Sequence, residues 1–495
     1  MRDLFRRCLS LLLLVLGACE GTMMSVPPTP DARSVSDAAL GDAGLLDDAG
    51  DLRDAGSRDS SLGDSDGGAA ADAGPSVTDA GTDGGDSSGP ALRPGDGFDG
   101  EIRVPDHVGD RSAPSGDRIA MARWDVVPEQ TFPAEFPIGV VAHHAYGIDY
   151  VEFQVEGGVA VQVSRPSVNP RTGVEEYWVT LSASDFADQR LEVRAVAYPN
   201  DGIPRILPSL FLFANAGGSI RHPVLELPAG RHEIAGRDIP SEGWLTIRPE
   251  AGVAKDDCII IGRSQWREGN VRFQGLTVQS NGQALALGSF NADKERDMVW
   301  YDDVSIRGTE DTPWLTQAWS HHFFTDVDVT TTFETFKHGP VLLRNVTADD
   351  LFSDFANANG LYVNVEVSNM HRRHRTGAHP DLFQFPAGIP NNLIIQDLVA
   401  DDNIDGQGFF ADRLEDVAIV RLQTRSVSPF QSLHLMAAAE NLLIEDSSFN
   451  NGRFRADVRF TADDVVLRDV FVTDLAPLHL PNGWDLPGVT VLPTP

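Results

Sequence analysis

Four stretches near the C-terminus decide the fold: "NLIIQDLVADD" (392–402), "DVAIVRLQTRS" (416–426), "NLLIEDSSFN" (441–450) and "DVVLRDVFVTD" (464–474). Each is a short apolar run followed by a polar break and a second apolar run. Their anchors Ile395, Ile419, Ile444 and Leu467 recur every 23 to 25 residues. That period suits one coil of three short strands and three turns, and no helical pattern interrupts it. Stacked coils sit about 4.8 Å apart, so equivalent residues form ladders along the axis. The polar column after the anchors, which includes Asn345, Asp397, Asp446 and Asp469, is read as a turn ladder that caps backbone groups, not as a set of catalytic acids.

Working outward from these four stretches, the pattern continues upstream through "VRFQGLTVQS" (271–280), "VWYDDVSIRG" (299–308), "VLLRNVTADD" (341–350) and "LYVNVEVSN" (361–369). It begins at "VLELPAGRHEIAG" (224–236) and "GWLTIRPEAG" (243–252), which resemble the opening coils of a right-handed parallel β-helix. A packed solenoid has no hollow interior, so function must lie on an outer face or on loops at the turns.

One such loop is "HRRHRTGAHPDLFQF" (371–385), which gathers three histidines and three arginines in a chain with 13 histidines and a net charge of -34. Aligning "LFQF" with "GFFA" (408–411), "LHLM" (433–436) and "DVRF" (457–460) leaves two strand phases. The favoured phase turns Phe383, Phe410, His434 and Arg459 outward, with His379 and Asp381 at the edge. The opposite phase buries Phe383 and Phe385 and exposes Gln384. An aromatic and cationic platform of this kind suits a sugar ring. The bland reading is a solvated basic turn that offsets local acid, with Asp381 accepting backbone hydrogen bonds.

The segment 224–475 resembles the β-helix proteins of the pectate-lyase-like superfamily. "GAHPDLFQF" and "NIDGQGFFA" (403–411) look like a strand pair of its secreted bacterial members. The resemblance implies a polysaccharide lyase or epimerase acting on a uronate-containing, acidic glycan. Such a lyase neutralises the carboxylate, removes the C5 proton and protonates the leaving oxygen. On that reading His374, His379, Asp381 and His434 are catalytic candidates. Arg372, Arg375, Phe383, Gln384, Gln407, Phe410 and Arg459 bind substrate, and Asp402 and Asp405 hold a metal or orient a histidine; the resemblance leaves the cofactor open, with calcium as one candidate. Galacturonan hydrolases of the same fold are a poorer match, because their Asn-Thr-Asp and Gly-His-Gly companions are absent. The other class of function is a non-catalytic surface protein that binds glycan.

Before the solenoid, residues 98–217 carry about seven alternating segments, such as "IDYVEFQVE" (148–156) and "RLEVRAVAY" (190–198), as a two-sheet sandwich requires. "AHHAYGIDYVEFQVEGG" (142–158) resembles bacterial immunoglobulin-like modules. His143 and His144 are adjacent on a strand and point to opposite faces, so they are read as strand-end residues and not as joint metal ligands.

The N-terminal "MRDLFRRCLSLLLLVLGAC" (1–19) has arginines before a short apolar run and reads as an export signal over 1–18. "LGAC" resembles the lipobox of bacterial lipoproteins, which implies lipidation of Cys19 and anchoring at the outer membrane or cell surface. Residues 31–90 hold 14 Asp, 3 Arg and no aromatic residue, so 19–97 is expected to be a disordered tether. Lipidation would leave Cys258 without a disulfide partner, as a small core residue. The acidic balance excludes nucleic acid as a partner, and the membrane is met through the lipid anchor only. Residues 476–495 form a tail.

Overall fold

The computed structural model describes residues 78–79, 89–93, 118–473 and 489–492. Within 118–473 it leaves out 157, 235–238, 240–241, 262–264, 267–268, 281–287, 290–297, 310–320, 333–334, 337–340, 358, 372–379, 386–390, 405–406, 427–432, 451–453 and 457–464. The expected signal peptide, Cys19 and nearly all of the tether lie outside the described residues.

From Val224 onward the chain forms a 20-stranded sheet whose pairings are parallel throughout. It is a parallel β-helix. An inward column of register partners runs from Leu225 through Ile247, Phe273, Tyr301, Phe324, Leu343 and Tyr362. It continues through Ile395, Ile419 and Ile444 to Leu467. The four anchors of the sequence are therefore the last rungs of one ladder. Rings stack inside it, Tyr301 on Phe324 at 4.5 Å between centroids. Cys258 is fully buried in the same core, and burial pushes its thiol pKa up.

The coil corners are made by residues that tolerate a left-handed backbone. In the strands Val341–Leu351 and Gly360–Met370 the chain turns from a first face to a second at Asn345 (φ 55°) and Asn364 (φ 52°). Asp303, Asp326, Asp397, Asp446 and Asp469 occupy the same conformation. Asn and Asp adopt it at lower cost than other side-chain-bearing residues because their short polar groups bond locally. Asn345 Nδ2 donates to Asp326 Oδ1 (2.9 Å), and Asn364 Nδ2 donates to Asn345 Oδ1 (3.1 Å). The column expected to be a turn ladder is one.

Residues 118–214 fold as two β-sheets around their own core, which includes Ile138, Val140, Phe153, Leu191 and Leu212. The sandwich begins earlier than residue 98. Ala91–Leu92 pairs with Thr180–Leu181, and Leu92 is fully buried. An apolar side chain that completes a sheet overrides the polar composition of the stretch around it.

The two lobes are packed together. Along the first face of the β-helix the outward residues are also apolar: Trp300, Leu342, Leu361, Ile394, Ala418 and Leu443 form one buried cluster with Met121, Val127, Val141 and Val174 of the sandwich. Strands buried on both sides read as unbroken apolar runs, which explains "VLL", "LYV", "LII", "AIV" and "LLI". Polar groups fix the register of the lobes. Asn392 takes both backbone bonds of Ala122, donating to its carbonyl (2.8 Å) and accepting from its amide (2.9 Å). Asn441 Nδ2 donates to Ile119 O (2.8 Å). Arg344 Nη1 pairs with the fully buried Asp125 Oδ1 at 2.8 Å.

Candidate functional site

A third face of the β-helix carries the strand Asp381–Phe385 and the register partners that follow it on the next coils. Its strands pair so that Asp381 stands opposite Gln407, Phe383 opposite Phe409 and Gln384 opposite Phe410. On the next coils Phe409 and Phe410 meet Leu433 and His434, which in turn meet Phe454 and Arg455.

This register selects the second of the two phases. Phe383 is fully buried, stacked on Phe409 at 4.8 Å and met edge-on by Tyr362 (5.3 Å) and Phe355 (5.8 Å). Its expected place in an outer sugar platform is corrected: it belongs to the core. The reason is packing, since an inward Phe383 continues the aromatic column that Phe336 and Phe355 begin. Gln384 and Phe410 are the half-buried pair of the face. His434 and Arg455 occupy their register positions on the two following coils. Arg459 lies outside the described residues, and Arg455 is in a strand whose backbone alone is described.

Asp381 lies two residues before Phe383 on the same strand and shares its inward side. It is fully buried, and its amide donates to Asp354 Oδ1 at 3.0 Å, with Asp354 itself 4 % exposed. The bridge between Ala356 and Phe383 sets Asp354 and Asp381 side by side on adjacent coils. Asp381 is thus not at the outer edge of the face, and its expected contact with substrate is corrected to a buried polar contact at the corner. Asp354 escaped the sequence reading because "LFSDFANANG" (351–360) carries no motif. The only signal there was an aspartate flanked by apolar residues.

Arg372, His374, Arg375, His379 and Asp405 lie outside the described residues. Gln407, Asp402 and His434 are in strands whose backbone alone is described. The described end of the basic segment, His371, sits 3.5 Å from Asp350 Oδ1 and beside the Phe352 ring. Next to it, burial opposes ionisation of Asp349. Hydrogen bonds from Ser368 and Asn369, at 2.7 Å each, and the nearby His371 hold its pKa below the usual carboxylate value. Among the described residues no group of three His, Cys, Asp or Glu side chains is arranged to hold a metal ion. His143 and His144 bind neighbours instead: His143 Nε2 meets Gln396 Oε1 at 2.9 Å, and His144 Nδ1 accepts the Tyr146 amide at 3.2 Å.

No family model matches the chain, and no curated protein sequence matches it. Solved structures similar to it include a family 28 exopolygalacturonase of Yersinia enterocolitica, at 10 % identity over 74 % of this chain and 98 % of that one, with a TM-score of 0.30. Dex49A from Penicillium minioluteum matches at 9 % identity over 70 % of this chain and 80 % of that one, with a TM-score of 0.28. The catalytic domain of a GH87 alpha-1,3-glucanase in complex with nigerose matches at 12 % over 73 % and 89 %, with a TM-score of 0.21. At these scores the fold rests on the chain's own strand pairing.

Proposed function

We propose that the protein is polysaccharide-active and that its substrate lies along the third face. The observation that carries this is the column of Gln384, Phe410, His434 and Arg455 on four successive coils. Strand stacking repeats such a column about every 4.8 Å, similar to the length of one pyranose unit in an extended chain. A half-exposed aromatic, an amide, an imidazole and a guanidinium are the groups that hold ring faces, hydroxyls and carboxylates.

The finer reading is a uronate-containing acidic glycan, changed by β-elimination or epimerisation. Arg372 and Arg375 would neutralise the carboxylate, while His374, His379 and His434 would exchange the protons. Calcium held by Asp402 and Asp405 belongs to this proposal, and so does anchoring of the exported protein through lipidated Cys19. With Asp381 buried, the acid–base work falls to the histidines and arginines.

The test measures binding to polygalacturonate and to neutral dextran, alongside absorbance from unsaturated products, for the wild type, Phe410→Ala and an Arg372→Ala/Arg375→Ala double variant. We expect Phe410→Ala to weaken polymer binding at least tenfold while the fold is kept. The arginine double variant should lose preference for the acidic polymer, and chelation should remove turnover. Unchanged binding in both variants would overturn the reading. Binding without any product would leave the non-catalytic glycan-binding protein as the function.

A further inference from the structure

We draw no further inference here: the strongest candidate, the cleft of about 280 Å³ between the sandwich and the C-terminal coils of the β-helix, carries nothing because Arg421 and Arg468 are already paired with Asp397, Glu175 and Glu445, the Glu176 carboxyl is enclosed, and nothing in the structure shows what would occupy the space.

Discussion

At the scale of single residues, Phe383 and Phe410 lie on neighbouring coils of one face and turn opposite ways. Phe383→Ala empties a site enclosed by Phe355, Tyr362 and Phe409, so a loss of about 3–5 kcal/mol in unfolding free energy is expected. Phe410→Ala removes a half-exposed ring and should cost about 1 kcal/mol or less. Chemical denaturation of both variants checks the assignment, and equal costs would contradict it. The phase was hard to read because "LFQF" is apolar at three of four positions, so either alternation accommodates it. His143 offers a second measurement. Burial lowers its pKa to about 4, against an unfolded value near 6.5. The unfolded chain therefore binds the proton first. The stabilising contribution is complete above about pH 6.5 and is lost progressively as pH falls toward 4. Because the ring is partly exposed at the cleft, about 1–2 kcal/mol is expected in place of the full shift. His143→Gln should flatten the stability profile between pH 6.5 and 4 relative to the wild type, and parallel profiles would refute this.

Elements rise or fall with their corners and with what covers them. Asn364 holds a φ of 52° and donates to Asn345 on the previous coil. Asn364→Ala loses that bond and places a Cβ in the left-handed region, at about 1–2 kcal/mol. Asn364→Gly loses the bond but not the backbone ease, so it should be the milder change in thermal melting. If glycine proves worse than alanine, the corner is held by something other than backbone conformation. This ladder was legible in the sequence because Asn345, Asp397, Asp446 and Asp469 recur in step with the apolar anchors. Arg421 was not, since it holds φ 54° in the same column while reaching Asp397 and Glu175. Arginine carries no turn signal. The consecutive apolar pairs of the first face did signal strands covered on both sides, but a sequence does not say which surface supplies the cover.

For the whole molecule, that cover determines how stability is shared. A solenoid alone can lose cooperativity along its length, because each coil contacts only its neighbours. Here the sandwich lies across coils from Trp300 to Leu443, tying distant rungs to one body. Sandwich and β-helix should therefore unfold together. Tryptophan fluorescence reports the junction through Trp244 and Trp300, and circular dichroism reports the strands, so coincident urea transitions are expected. Two separated transitions would mean that the lobes are independent. The buried Arg344–Asp125 pair tests the same junction from within. Arg344→Ala leaves the Asp125 carboxylate enclosed without its cation and should cost about 3–5 kcal/mol, whereas Arg344→Met with Asp125→Leu removes both charges and should cost much less. If the junction couples the lobes, Arg344→Ala shifts both probes by the same amount. A shift confined to the fluorescence signal would show that the β-helix stands without its sandwich.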